Sequence, residues 1–285
     1  MTASTRALRR ATGFGPVLIA LALFWLALII GAPLATVVAE AWSKGSEAFF
    51  NTFKQPDAVA AIRLTIIVAA ITVPLNAAFG LAAGWSIAKF EFRGKALLLA
   101  LIDLPLSMSP VISGLVWVLV FGARGWFGPF LEVAGFKVIF ALPGIVLGTI
   151  LVTVSLIARE IIPLMAEQGS DEELAATTLG AGGWTVFRRV TLPNVRWALL
   201  HGVLLCNARA MGEFGAVSVL SGHIRGLTET LPLHVEALYN DYDFVGAFAA
   251  ASLLAGLAVV TLIAKSALER VGAPRSATKH SRKSK

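Results

Sequence analysis

Six apolar stretches, each long enough to cross a bilayer, constrain the fold of this chain more than any other feature. They occupy residues 14–39, 59–87, 96–121, 143–162, 197–220 and 244–264. A membrane-spanning helix needs about 20 apolar residues. Only 14% of the 285 residues are charged, whereas about 25% are charged in an average soluble domain. The sequence therefore predicts an all-α polytopic membrane protein with about six transmembrane helices.

The lysines and arginines lie mainly on one side of the predicted bundle. The predicted inner segments carry Arg6, Arg9, Arg10, Lys89, Arg93, Lys95, Arg159, Arg188, Arg189, Arg196 and those of the tail, whereas the outer segments carry Lys44, Lys54, Arg124, Lys137 and Arg225. Basic residues favour the cytoplasmic side, so both termini are expected to be cytoplasmic. The chain then divides into an N-terminal segment (1–13), a transmembrane domain (14–264) and a basic cytoplasmic tail (265–285). The first stretch is too long for a signal peptide and is interpreted as an uncleaved span.

The longest polar interruption lies between the fourth and fifth stretches and reads SDEELAATTLGAGGWTVFRRVTLPN (residues 170–194). Ser170 followed by Glu173 is a capping-box pattern, which predicts a helix that begins at Asp171. Gly180 is expected to end it, because glycine tolerates the left-handed backbone of a helix C-terminus. A second short helix is predicted to place Trp184, Phe187 and Val190 on one face and to stop at Pro193. Two short helices on the inner side would form a docking knob.

This segment resembles the EAA loop of binding-protein-dependent ABC importer permeases, whose pattern is Glu-Ala-Ala, three residues, Gly, nine residues, Ile, one residue, Leu-Pro. The matching positions are Ala175, Ala176, Gly180, Val190, Leu192 and Pro193. Leu174 stands where the family has glutamate, with Glu172 and Glu173 just before it. The resemblance implies that the loop (residues 167–196) couples the membrane domain to a cytoplasmic ATPase, with Glu173, Trp184 and Phe187 added as candidate contacts.

The third stretch is interrupted by DLPLSMSPVISG (residues 103–114), where Pro105 and Pro110 each remove a backbone donor. A bend or an unwound segment is expected there. Lipid tolerates such a break only where protein or water satisfies the freed backbone groups, so the segment is expected to face the bundle interior. Asp103 lies either there or, solvated, near the inner interface.

The fifth stretch contains the polar residues Asn207, Arg209 and Glu213. A lone charge at the bilayer centre costs about 2.5–3.5 kcal/mol. Arg209 and Glu213 are four residues apart and can pair on one helix face, which reduces that cost. Two interpretations remain open: the pair locks helices together, or its face lines a translocation path on which Arg209 presents positive potential to an anion.

Other titratable residues predict no catalytic or metal site. Glu160 beside Arg159 is expected to form an interfacial pair, His201 to be a hydrogen-bonded packing residue, and His223 and His234 to be exposed. The histidines show no ligand spacing, and no Gly-rich phosphate-binding motif or nucleophile elbow occurs, so no metal, cofactor or enzymatic activity is predicted. The formal net charge of +7 is assigned to membrane topology rather than to nucleic-acid binding.

Three segments resemble the sulfate/thiosulfate ABC importer permeases, and within them the CysW-like subunit. They are residues 103–122, the RAMGEFGA segment with its continuation (209–222), and SGHIRGLTETLPLHVEALYNDY (221–242). The resemblance implies a multi-pass protein of the bacterial cytoplasmic membrane with a CysT-like second permease, two copies of a cytoplasmic ATPase and an extracytoplasmic binding protein. RAMGEFGA is shared with molybdate and tungstate permeases, which remain an alternative. A passive anion channel is an alternative of another class, since it needs no ATPase.

Overall fold

The computed structural model describes residues 15–272, so the predicted N-terminal segment and the end of the basic tail lie outside the described residues. The helices follow one another along the chain in this order: α1 (Gly15–Ala41), α2 (Gly45–Thr52), α3 (Pro56–Lys89), α4 (Lys95–Ser107), α5 (Pro110–Phe121), α6 (Gly128–Val133), α7 (Leu142–Gln168), α8 (Asp171–Thr178), α9 (Gly183–Met211), α10 (Gly215–Ser221), α11 (Leu231–Asn240) and α12 (Phe244–Gly272). Two of these helices contain a π-helical turn, at Ala27–Gly31 in α1 and at Phe187–Thr191 in α9.

Four helices, α1, α3, α7 and α12, are each long and apolar enough to cross a membrane. The number rises to 6 when the bent pairs α4–α5 and α9–α10 are each counted as one span. These elements coincide with the apolar stretches of the sequence, and the prediction of an all-α bundle with about six spans is confirmed.

The core of the bundle is the crossing of α3, α7 and α9, where glycines allow close contact. A Cβ atom added to Gly80 of α3 would lie 2.8 Å from Cγ2 of Ile157, which is fully buried in α7. A Cβ added to Gly202 of α9 would lie 3.0 Å from the Cα of the same isoleucine. Lipid supplies no hydrophobic force between helices, so close backbone packing at small residues stabilises the bundle.

A buried polar contact joins the same three helices. Asn76 of α3 donates from Nδ2 to Oγ1 of Thr153 in α7 at 2.7 Å, and to Sγ of Cys206 in α9 at 3.7 Å. All three side chains are buried. In this apolar environment the contact fixes the lateral register of the three helices.

The two ends of the bundle carry different elements. One end, called the loop end here, holds the last residue of α3, Lys89, together with α8 and the start of α9. At the opposite end α11 is tied to α3, because the Leu231 amide donates to Oγ1 of Thr65 at 2.8 Å. At the same end, the irregular segment before α7 is tied to α10, because the Phe140 amide donates to the Leu220 carbonyl at 2.9 Å.

Two spans are broken inside the bundle, and their second halves pack against each other. The helices α4 and α5 meet at 113°, with Met108 and Ser109 between them, and α9 and α10 meet at 50°. Pro110 is the first residue of α5, whereas Pro105 lies within α4. A Cβ added to Gly215, the first residue of α10, would lie 2.8 Å from Cβ of Pro110. The two breaks are therefore in direct contact.

The first helix is largely uncovered. Its first half, Gly15–Leu26, buries no residue within the described chain. Its second half, Ala32–Ala41, packs against α12. A membrane helix with so little contact in its own chain leaves a broad apolar face for lipid or for another subunit.

We expect Gly80→Leu to destabilise the bundle, because the added side chain overlaps Ile157 at the crossing of α3 and α7. Overpacking of this kind costs about 1–3 kcal/mol. Thermal unfolding of the purified protein in detergent measures the effect. Gly256→Leu is the matched control, since nothing lies within 4 Å of a Cβ at that position of α12. Equal melting temperatures for both variants would contradict the packing argument.

Candidate functional site

The loop helix α8 has the bounds that the sequence predicts. It begins at Asp171 and ends at Thr178, and the backbone turns at Gly180, whose φ is +84°. The Ala181 amide donates to the Ala176 carbonyl at 3.1 Å and the Gly180 amide to the Thr177 carbonyl at 3.0 Å. This pair of bonds is the Schellman motif, which requires a left-handed residue at the position of Gly180.

The predicted capping box is not formed. Ser170 makes no side-chain hydrogen bond to the start of α8. Glu173 turns inward instead: its Oε2 lies 2.8 Å from Nζ of Lys89, and its Oε1 accepts from Oγ1 of Thr191 at 2.7 Å. An ammonium group carries a full positive charge, whereas the amide of a capping box offers the carboxylate only a partial one. The nearby lysine therefore outcompetes the cap.

The prediction that Pro193 ends the second loop helix is wrong. The helix runs from Gly183 through the π-helical turn Phe187–Thr191 and continues as α9 to Met211. A proline inside a helix lacks an amide donor and clashes with the carbonyl four residues before it. The wider π turn directly before Leu192 and Pro193 accommodates that clash. The second half of the loop is thus rigidly continuous with a membrane span.

The loop presents large apolar side chains away from the bundle. Leu174, Leu179 and Trp184, called the exposed apolar trio here, are 60%, 88% and 73% exposed. Phe187 is half-buried and links the trio to the bundle. Its ring stacks on Trp184 with centroids 5.5 Å apart and packs on Trp85 of α3 at 5.1 Å.

The other predicted loop residues line both sides of this surface. Ala175 and Pro193 are exposed, whereas Ala176, Val190 and Leu192 are half-buried. The structure therefore brings the predicted residues of the EAA pattern together at the loop end. Both α8 and the first part of α9 expose some of these residues. An exposed apolar surface on a polar segment is typical of a protein interaction site.

Arg209 and Glu213 pair across the break between α9 and α10. Nη1 of Arg209 lies 2.5 Å from Oε2 of Glu213, whose side chain is 1% exposed. The other carboxylate oxygen accepts from the Ala216 amide in the first turn of α10 at 2.9 Å. Asn207 donates to Sδ of Met211 at 3.5 Å on the same helix. Glu213 therefore links α9 to α10, the two halves of the broken span. The Arg209 side chain stays 40% exposed.

The charged residues of the fourth span pair differently from the prediction. Arg159 contacts Asp103 of α4 at 2.8 Å, and Glu160 contacts Nδ1 of His201 in α9 at 2.8 Å. The expected pair of Arg159 with Glu160 is not formed, because consecutive residues of a helix point in different directions. Each of the two residues instead joins α7 to a different neighbouring helix.

The prediction that His234 is exposed is wrong. It is 3% exposed, and its Nδ1 lies 2.8 Å from Oε1 of Glu229, which is equally buried. Both residues lie near the end of the bundle opposite the loop. Sequence reasoning also missed Lys89 and Thr191, whose importance comes from their contact with Glu173. Within residues 15–272, no group of three or more His, Cys, Asp or Glu side chains is placed to hold a metal ion.

Comparison with known proteins identifies the family. Residues 77–271 match the family described as "Binding-protein-dependent transport system inner membrane component". The chain belongs to this family of membrane permeases. The permease is 51% identical over 253 residues to "Sulfate transport system permease protein CysW" of Synechocystis sp., covering 89% of this chain and 92% of that protein.

Two proteins of Escherichia coli K12 distinguish the type of subunit. The permease is 48% identical to its CysW sulfate transport system permease protein, over 88% of this chain and 87% of that protein. It is 31% identical to the CysT permease protein of the same organism, over 87% of this chain and 89% of that protein.

A solved structure confirms the fold. The crystal structure of a bacterial alginate ABC transporter in complex with alginate pentasaccharide-bound periplasmic protein contains a chain that superposes with a TM-score of 0.76, at 14% identity, over 92% of this permease and 96% of that chain. The permease is therefore a multi-pass membrane protein with the MetI-like fold of ABC importer permeases.

We expect Arg209→Ala to destabilise the permease, because it leaves the buried carboxylate of Glu213 without its cation. Breaking one side of a buried ion pair costs about 3–5 kcal/mol. Thermal unfolding in detergent measures the loss, and the double variant Arg209→Ala/Glu213→Gln should recover most of it because no buried charge remains. A single variant as stable as the wild type would refute the pairing.

Proposed function

We propose that this permease is the CysW-like subunit of an ATP-driven sulfate importer, in which the α8–α9 loop receives the movement of a cytoplasmic ATPase. The observation that carries the proposal is the exposed apolar trio on a loop whose second half continues without interruption into α9. A surface of this kind needs an apolar groove on a partner. A rigid helix behind it can transmit the partner's displacement into the membrane.

The orientation proposed for the loop end is cytoplasmic. Lys89, Arg93 and Lys95 lie at that end, near Arg188 and Arg189 of the loop, and basic residues favour the cytoplasmic side of a membrane. Both termini then lie in the cytoplasm. A Leu179→Cys variant tests this, since the native Cys206 is buried and adds little background labelling. Reaction only with a reagent confined to the extracytoplasmic side would reverse the orientation.

The translocation path is proposed to lie along the two broken spans. Pro110 and Gly215 place the breaks of α4–α5 and α9–α10 in contact, and Arg209 retains an exposed cationic side chain beside them. Transporters commonly build substrate sites from interrupted helices near the bilayer midplane. Asp103, Pro105 and Asn207 lie on the same two spans. Arg209 would offer positive potential to an anion, while Glu213 holds its own helix break together.

The partners proposed for the permease follow from its type. The uncovered face of α1 and the similarity to CysW more than to CysT favour a heterodimer with a CysT-like subunit. Two copies of an ATPase would bind the loops, and an extracytoplasmic binding protein would deliver the anion. Nucleotide hydrolysis is assigned to the ATPase partner, because the chain has no nucleotide-binding motif.

Sulfate or thiosulfate is proposed as the cargo because the CysW and CysT relatives of this permease are sulfate transport proteins. The alternative is molybdate or tungstate, since RAMGEFGA is a segment shared with those permeases. Deletion of the gene in its host should abolish uptake of radiolabelled sulfate and growth on sulfate, and the intact gene should restore both. Normal sulfate uptake after deletion, with loss of molybdate uptake, would transfer the assignment to molybdate. Restored uptake with no ATPase in the purified complex would favour a passive channel.

We expect Gly180→Val to uncouple the importer, since a β-branched residue opposes the φ of +84° that the loop requires. Sulfate uptake by the reconstituted complex should fall at least tenfold, while the variant still inserts in the membrane. Gly182→Val is the matched control. Gly182 has an extended backbone (φ −69°, ψ 155°) with nothing within 4 Å of an added Cβ, so uptake should remain near wild type. Equal uptake by the two variants would remove the role assigned to the turn.

A further inference from the structure

A cluster of contacts inside the loop, distinct from its exposed apolar trio, ties α8 to the bundle. It centres on Glu173, whose carboxylate lies between Lys89 of α3 and Thr191 of α9. Nζ of Lys89 also donates to the carbonyl of Gly169, the residue that follows α7. One lysine–glutamate pair therefore joins the end of α3 to α8, to α9 and to the residue that caps α7.

The cluster is shielded from solvent. The side chains of Lys89 and Glu173 are 8% and 16% exposed, and Thr191 is 2% exposed. Ion pairs on a protein surface contribute little to stability, whereas shielded pairs resist separation because either charge left alone is poorly solvated. The neighbouring pair of Lys95 with Glu91 is of the surface kind, since the glutamate is 90% exposed.

A second contact holds the same helix from the side of α9. Asn194 donates from Nδ2 to Glu172 at 2.5 Å, and its carbonyl accepts from Nε2 of Gln168 at 3.4 Å. These bonds are made by exposed groups. They tie α8 and the end of α7 to α9, but they do not reach α3.

Beside the lysine–glutamate pair, the ring of Phe187 on Trp85 connects α3 to the loop. Apolar ring contacts allow sliding, whereas a charge-assisted bond between defined atoms fixes direction and distance. The described chain therefore contains three routes from the loop into the membrane: covalent ones along α7 and α9, and an electrostatic one into α3.

We propose that Lys89 and Glu173 are positioning residues that make α3 move with α8 when the ATPase displaces the loop; this rests on the function proposed above. The role of the pair is to carry the displacement into α3, whose far end is tied to α11 by the Thr65 hydrogen bond. Movement of α3 would then reach the side of the membrane at which the anion enters.

The test compares Lys89→Met, Glu173→Gln and the double variant in the complete importer, reconstituted with its second permease, ATPase and binding protein. The measured quantity is the number of ATP molecules hydrolysed per sulfate transported. We expect each single variant to raise this ratio at least fivefold while the ATPase still co-purifies. The double variant should raise it no further, because both substitutions remove one interaction. A merely structural role would lower uptake and hydrolysis together and leave the ratio unchanged.

Matched variants keep the outcome decisive. Lys95→Met removes the surface pair with Glu91 and should leave the ratio at the wild-type value, and Lys89→Arg should retain most of the coupling. If Lys89→Met fails to assemble, Thr191→Val removes one bond to Glu173 with little change in volume and should raise the ratio at least twofold. An unchanged ratio in Thr191→Val and in every assembled variant would overturn the proposal. A wild-type complex that binds no ATPase would instead overturn the proposed function.

Discussion

Close contact between α3, α7 and α9 is the constraint on which the rest of the structure depends. Lipid tails are as apolar as leucine, so these helices gain little from burial and associate where their backbones can approach. Gly80 and Gly202 provide that approach on either side of Ile157, and Asn76 adds a hydrogen bond to Thr153. The three helices therefore form the closely packed centre of the bundle. Each of them reaches the loop: α7 ends at Gln168, α9 begins within it, and α3 contacts Glu173 through Lys89.

The spans and the bounds of α8 could be predicted because they depend on local features. An apolar run of sufficient length specifies a span whatever its neighbours, and Gly180 specifies a left-handed turn by its missing side chain. The ion pairs could not be predicted in the same way. The sequence favoured the nearest partners, Ser170 for Glu173 and Arg159 for Glu160. The folded bundle instead offers each glutamate a partner side chain from a helix distant along the chain, Lys89 for Glu173 and His201 for Glu160.

Proline shows how the same residue leads to different structures. Pro33 and Pro193 each follow a π-helical turn, and both helices continue through them. The residue before Pro110, in contrast, has an extended backbone (φ −62°, ψ 135°), and the span breaks there. A helix can widen to accept a proline, or it can stop before one. The span that breaks at Pro110 is also the one that contacts a second broken span, because Gly215, at the break between α9 and α10, packs against Pro110.

The position of one glutamate determines which side chain of α8 faces the bundle and which faces outward. The EAA pattern has glutamate where this chain has Leu174, and here the acid stands one residue earlier, as Glu173. Adjacent helical residues are rotated by about 100°, so this shift turns the carboxylate toward the bundle and places an apolar side chain outward. Glu173 accordingly meets Lys89, and Leu174 is 60% exposed. At this position of the loop, a partner therefore meets the apolar side chain of Leu174, because the carboxylate of Glu173 is engaged with α3.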